Sequence, residues 1–511
     1  MSHDGITRRT VLTAGAATAA AIATTNLMTA PAAQAAPTLP NGISRDKVLI
    51  IGMDGLRADR LEEADAPHMK AIMANGTYAK SLLYADPMAP TVSGCGWSTI
   101  STGVWPDKHN VKDNSFSGSR FDAYPGLMAR LAQLKPGLST YAAVDWVPLD
   151  TSGVITDGAD AKLVLPHHDV PNDAQIAAEA ESVIRNQNPD VMFLYFGNTD
   201  QVGHDVGTGQ PYLTAITEQD AHVGKLWAAV KARPTYSSER WTVIITTDHG
   251  HVDEGGHGGS SWEERQTFIL AQGPGIAAGL RPIDTRLVDV VPTVLKQLGL
   301  AVDSSWGMDG KPIQERTDDR FDTVQSRLRT RVDETAIPAG VLGYTHTAPR
   351  GWSILNKAMG TGGVTEWRGW TFTTDEFWSR THRDQGRELN VRARGVFAVA
   401  DSDEWSDKAF SGRFESTLVS PTYGSLSGKS RITVTFVTHY RQVEQQSAKV
   451  LVSFDAGAPE EVRSYTADVI SQQQSIDVPI PSGATSAHVR FHYTGDNDFY
   501  WVIDRFQLYT S

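Results

Sequence analysis

The chain has 511 residues, 40% hydrophobic and 21% charged, which suits a soluble globular protein with a large core and room for two domains. A formal net charge of -13 repels polyanions and argues against a nucleic-acid polymer as partner. The single cysteine, Cys95, excludes an internal disulfide, so stability outside a cell must come from packing.

Residues 1–35 read as a twin-arginine export leader. Arg8 and Arg9 precede an Ala/Thr-rich run without charge as far as Arg45, and Ala33-Gln34-Ala35 offers a small-x-small cleavage site. The run is too short and too weakly apolar to cross a bilayer, and no later stretch approaches about 18 consecutive apolar residues. The expected product is a secreted or cell-envelope protein with no membrane span.

Three β-branched apolar runs follow: VLIIGM (48–53), VMFLYF (191–196) and TVIITT (242–247). Each leads to an aspartate, Asp54, Asp200 or Asp248. Unbroken runs of this kind read as strands buried on both faces of a mostly parallel sheet. Helical segments at 173–187 and 217–233 lie between them, so the expected architecture is an α/β sandwich, whose ligands bind at the carboxyl ends of its strands. The pattern continues through a strand at 267–271 and a helix at 287–298, then fades into a polar stretch, 314–340. Beyond it, 432–440, 448–454, 474–480 and 487–493 alternate with a period near two between turn residues, the mark of an all-β sandwich. The domains expected are a leader (1–35), an α/β part (36–325), a linker (326–345) and a β-sandwich accessory part (346–511).

The strand ends collect metal donors. Asp200 and His204 stand one helical turn apart and can converge on one ion. Adjacent Asp248 and His249 point to opposite sides of an extended backbone and can serve two ions or both edges of one site. His257 sits among glycines nearby. Any one aspartate after a strand is ordinarily a cap or turn residue; six donors at three strand ends and their following loops point to a metal site. Carboxylate and imidazole suit zinc, and also manganese or iron.

The segments "VLIIGMDGLR", "SGCGWSTISTGVWPDKHNVKDN", "NTDQVGH" and "TTDHGHVDEGGHGG", with "DVVPTVL" and "MDGKPI", resemble those of the alkaline phosphatase superfamily over about 47–313. The nearest branch is the type I phosphodiesterase/nucleotide pyrophosphatase family. The resemblance implies an alkaline-phosphatase-like α/β/α fold, two divalent ions, most simply zinc, and a metal-dependent phosphoric ester hydrolase. It implies Asp54, Asp248 and His249 as ligands of one ion, which also touches Ser93, and Asp200, His204 and His257 as ligands of the other, with His251 the alternative to His257. It implies Ser93 as nucleophile through a phosphoseryl intermediate, with Thr91 the alternative if the loop is shifted by two residues. Asn114 and the backbone N–H of Gly94 would hold phosphoryl oxygens. The family commonly has threonine where this chain has Ser93.

The implied substrate is a small phosphodiester or nucleotide pyrophosphate, with a phosphomonoester as the alternative; monoesterases usually add a cation, for which Arg57, Lys108 and Lys112 are the residues on offer. Sulfatases share the superfamily fold, but their C/S-x-P/A-x-R motif, read from Ser93, meets Cys95 and Trp97, which disfavours that chemistry. In the last third, "YTGDNDFYWVIDRFQLY" is similar to the final strand of jelly-roll adhesion and carbohydrate-binding modules. Trp352, Trp367, Trp370, Trp378, Trp405 and Trp501 are core residues or, if exposed, a glycan contact; Asp496, Asn497, Asp498 and Asp504 are candidates for a structural calcium. A surface glycan-binding protein with an inert α/β scaffold is the non-enzymatic alternative.

Overall fold

A seven-stranded sheet is built from β1 (Asp46–Met53), β2 (Thr77–Leu82), β3 (Thr140–Val144), β4 (Ala161–Val164), β5 (Val191–Phe196), β6 (Arg240–Thr246) and β7 (Gln266–Gln272), in the order β2-β7-β6-β1-β5-β3-β4. The computed structural model describes residues 37–166, 170–383 and 385–511; the export leader read in 1–35 lies outside them. β6, β1, β5, β3 and β4 are parallel neighbours, whereas β7 pairs antiparallel with both β6 and β2.

The three expected strands are the three central ones, and their unbroken apolarity has a direct cause. Val48 and Ile50 of β1 enter one core with Trp97, Leu127 and Val290, while Leu49 and Ile51 enter the other with Met69, Ile176 and Val223. Full burial of each such side chain stabilises by about 1.5–3 kcal/mol, on both faces at once. Among the covering helices, Val170–Asn186, Gln210–Lys231 and Val290–Gln297 lie where periodicity places them.

The remaining chain is all-β: β8 (Ser353–Leu355), β9 (Thr361–Gly362), β10 (Thr371–Thr374), β11 (Val396–Asp401), β12 (Phe410–Ser411), β13 (Phe414–Val419), β14 (Arg431–Tyr440), β15 (Ser447–Phe454), β16 (Glu460–Tyr465), β17 (Val469–Pro479), β18 (Ala487–Gly495) and β19 (Tyr500–Thr510). Two five-stranded sheets, β10-β11-β19-β14-β17 and β16-β15-β18-β13-β8, pair antiparallel throughout, with β9 and β12 as a separate ribbon. Their common core holds all six tryptophans, each at most 6% exposed, so none offers a face to a sugar.

Leu328, Val341 and Tyr344, in the stretch read as a linker, are buried in that same core. The polar residues between them mask an apolar set without a regular period. Residues 37–511 form one packed unit. Among the described residues no helix is long and apolar enough to cross a membrane.

The residues proposed for calcium do not converge. Asp498 accepts from the Asp496 N–H at 2.8 Å and Asn497 accepts from Ser406 before β19, whereas Asp504 lies inside β19 and takes the Arg394 N–H at 2.7 Å. Six residues of extended chain separate Asp498 from Asp504, roughly 20 Å at the rise of a strand.

Candidate active site

The site lies at the carboxyl ends of the adjacent strands β6, β1 and β5. Asp54 follows β1 and its N–H is anchored to Phe196 O at 2.9 Å. After β5 the chain turns into the helix Asn198–Val206, which carries Asp200 and His204; after β6 come Thr247, Asp248 and His249. Ser93 is the first residue of the helix Ser93–Thr102.

Two groups of donors meet here. Asp54, Asp248 and His249 bring ligand atoms within 4.8 Å of one another, as do Asp200, His249, His251 and His257. His249 Nε2 stands 3.4 Å from Asp54 Oδ1, 3.3 Å from Asp248 Oδ2 and 3.2 Å from Ser93 Oγ. His249 belongs to both groups, whereas Asp248 belongs to the one with Asp54. His204 Nε2 lies 3.5 Å from Asp200 Oδ2 and 3.0 Å from His257 Nε2, and His257 Nε2 lies 3.6 Å from Asp200 Oδ1. The His204 side chain is 45% exposed and His257 is partly buried while the other donors are buried, so the site opens to solvent on the His204 side.

Hydrogen bonds fix which ring nitrogens face inward. His249 Nδ1 donates to Gly250 O at 3.0 Å and His257 Nδ1 donates to Thr91 O at 2.7 Å, leaving each Nε2 as a lone pair directed into the site. Burial, with His257 and His251 beside it, holds the His249 ring well below the ordinary imidazole range, so it stays neutral and able to ligate. Burial and the Asp54 carboxylate push Asp248 well above the usual carboxylate range.

The residues present fit a bound cation. Asp54 Oδ1 and Asp248 Oδ2 are buried with no hydrogen-bond partner. Each such atom costs about 1–3 kcal/mol if left so. A divalent ion would satisfy both, and mixed carboxylate and imidazole donors are those zinc takes.

The predicted oxygen-holding pair behaves differently from expectation at one point. The Gly94 N–H is not open to a substrate, because it donates to Asn114 Oδ1 at 2.8 Å. The bond orients the Asn114 amide beside Ser93 and makes Gly94 its support. Thr91 is tied elsewhere: its hydroxyl donates to Gly259 O and accepts from Gly258 N, both at 3.0 Å.

The profile of the type I phosphodiesterase / nucleotide pyrophosphatase family matches residues 48–134 and 139–388. The chain belongs to this family. Venom phosphodiesterase CdcPDE of Crotalus durissus collilineatus is 23% identical over 235 residues, 43% of this chain and 28% of its own length. The catalytic subunit of GPI ethanolamine phosphate transferase 2 of Homo sapiens is 24% identical over 289 residues, 53% of this chain and 29% of its own. The chain thus spans under a third of the length of these two curated relatives. Among solved structures, murine ectonucleotide pyrophosphatase / phosphodiesterase 5 is 17% identical with a TM-score of 0.40, covering 50% of this chain and 95% of that one.

This member of the type I phosphodiesterase / nucleotide pyrophosphatase family supports Asp54 with residues that motif reading passed over. Trp97 Nε1 donates to Asp54 Oδ2 at 2.9 Å, and the Tyr195 hydroxyl donates to the same oxygen. Trp97 is one helical turn from Ser93, a spacing that could have flagged it; Tyr195 faces Gly52 across the β1/β5 ladder, a register invisible in the sequence.

Proposed function

We propose that the chain is an exported phosphoric ester hydrolase that cleaves phosphodiester or nucleotide pyrophosphate bonds through a phosphoseryl intermediate on Ser93. One observation carries the reading: the Ser93 hydroxyl stands 3.2 Å from His249, beside carboxylate oxygens of Asp54 and Asp248 that have no partner of their own. Two divalent ions, zinc the best match, held by Asp54, Asp248 and His249 and by Asp200, His204 and His257, would lower the hydroxyl pKa and stabilise charge on the leaving oxygen.

The chain's own groups do the rest. Ser93 Oγ attacks phosphorus, the Oγ–P bond forms as the bond to the leaving oxygen breaks, the serine proton passes to solvent and the departing oxygen takes up another. Asn114, oriented through Gly94, presents its amide to a non-bridging oxygen. Water then cleaves the phosphoseryl ester, releasing a phosphomonoester and restoring the hydroxyl.

Charge supports a diester over a monoester. Arg57 is consumed by Asp59, Asp253 and the His251 carbonyl, Lys108 by Asp309 and Gly307 O, and Lys112 by Met88 O. Arg57 and Lys108 are thereby committed to carboxylates, whereas Lys112 meets only a carbonyl. Export by the twin-arginine route rests on Arg8, Arg9 and the apolar run after them, and a mature N-terminus near Ala36 in secreted protein would establish it.

The test is turnover of bis-p-nitrophenyl phosphate against p-nitrophenyl phosphate and p-nitrophenyl sulfate. Expected are preference for the diester, loss on chelation with return on zinc addition, and loss of at least about 1,000-fold in Ser93→Ala, as for removal of a covalent nucleophile. Undiminished turnover in zinc-loaded Ser93→Ala would overturn the reading.

A further inference from the structure

We propose that the β part completes the metal site: Arg380 is a positioning residue that acts across the seam between the two parts, through Trp262, on the loop 250–259. The proposal rests on the two-ion reading above and gives the β part a role in it. It holds whichever of His251 and His257 ligates, because both lie on that loop.

The loop is closed by Glu264. Its carboxylate takes the Gly259 N–H at 2.6 Å and its carbonyl takes the Gly250 N–H at 2.8 Å, so one residue grips both ends. Glu264 belongs to the four-residue helix Trp262–Arg265, which is capped by a reciprocal pair of bonds between Glu264 and Ser261. A single helical turn has no stability of its own, because fixing its backbone costs more than its few hydrogen bonds return. The orientation of this helix, and of the loop it closes, therefore depends on what holds it from outside.

Two of its side chains reach the β part. The Arg380 guanidinium, just past the helix Asp375–Ser379, lies over the Trp262 indole with Cζ 3.5 Å from the ring centroid, a cation–π contact, and Arg265 Nη1 donates to Ser379 Oγ at 3.2 Å. Arg265 is also tied within the α/β part, by Nε to Leu83 O at 2.8 Å, so it is the Trp262 end that relies on Arg380. The seam here is a bridge rather than a packed face. Trp262 lines two cavities, of about 380 and about 180 Å³, whose walls include Asp375 in the first and Ser379 in the second. With open space beside the indole, loss of Arg380 frees the ring to turn and loosens the loop behind it.

The experiment compares wild type, Arg380→Ala, Trp262→Leu, the double variant and Phe491→Leu by zinc stoichiometry, by the affinity for each ion in competition with a chromophoric chelator, and by the unfolding midpoint of the metal-free chain in denaturant. Phe491→Leu loosens the β core, where that ring packs on Phe436 and Trp501, without touching the seam. Expected are two ions in the wild type, one of them bound about 10-fold more weakly in Arg380→Ala, the low end for loss of an outer support. Adding Arg380→Ala to Trp262→Leu should cause no further loss, and Phe491→Leu should keep wild-type affinities despite a lower midpoint. Wild-type affinity in Arg380→Ala would overturn the proposal alone. So would additive losses in the double variant, which would route the effect of Arg380 around Trp262, or a loss in Phe491→Leu equal to that in Arg380→Ala, which would make it a matter of general stability. A wild-type chain that takes up no zinc would overturn the two-ion reading and this proposal with it.

Discussion

Ser93, Thr91 and Cys95 sit within five residues of chain and have three different physical situations. Thr91 clamps the segment before Ser93 to the loop of His257: its hydroxyl bonds both Gly258 and Gly259, and its carbonyl takes the His257 Nδ1 proton. Thr91→Val keeps the shape and removes both hydroxyl bonds, at about 1–3 kcal/mol for the buried groups left unpaired. The expected outcome is weaker zinc binding with turnover recovered at saturating zinc, read from rate against zinc concentration. No turnover in a folded, saturated Thr91→Val chain would instead transfer the nucleophile to Thr91. Cys95 is fully buried, with its Sγ donating to Val111 O at 3.4 Å, and burial pushes its thiol up to about 12. Reaction needs the thiolate, so iodoacetamide is expected to leave the native chain unmodified at neutral pH and to alkylate Cys95 only after unfolding. Rapid modification of the native chain would contradict that environment.

At the level of elements, the helix Ser93–Thr102 works because it lies directly on the end of β6. A Cβ on Gly96 would sit 2.6 Å from Asp248 O and 2.7 Å from its Cβ, so only glycine lets the two segments touch. Gly96→Ala should therefore cost about 1–3 kcal/mol as an overpacked contact and displace Asp248, reducing zinc affinity in step with the unfolding midpoint. Unchanged affinity and midpoint would show that the helix can shift without disturbing the ligand. This contact shows how far sequence reading reaches. Donors at the ends of 48–53, 191–196 and 242–247 were legible because doubly buried strands are apolar at every position, so Asp54, Asp200 and Asp248 stand out. The Trp97 and Tyr195 bonds to Asp54, and the engagement of Gly94 with Asn114, depend on strand register and loop closure, which leave no periodic trace. The tryptophans of the β part carried no signal of which face they occupy; packing put all six inside.

For the molecule as a whole, the β part is fastened to the α/β part through the segments that support the helix Ser93–Thr102. Arg394 makes a bidentate pair with Asp289 at 2.8 and 2.9 Å, and Arg392 meets Asp309, whose own N–H and carboxylate hold Gly103 O and the Trp105 N–H. The change of period after about residue 346 was visible in the sequence; these buried ion pairs were not, since arginine after a turn reads as surface. Arg394→Met leaves Asp289 buried beside an uncharged partner and should cost about 3–5 kcal/mol, seen as a lower unfolding midpoint in denaturant. The same junction carries a pH dependence. Burial, with Asp319 and Asp284 nearby and Val396 N–H as a partial offset, raises the Asp322 carboxyl from 3.8 to about 7. Between those values the folded chain keeps a proton that the unfolded chain has released, so this group's contribution to stability falls as pH rises through that window and levels off above it. Asparagine at 322 has no charge to bury and retains the oxygen that accepts from Val396 N at 2.8 Å. The drop in unfolding free energy between about pH 5 and about pH 8 should thus be smaller in Asp322→Asn than in the wild type; an equal drop in the two would assign the dependence to other carboxyls.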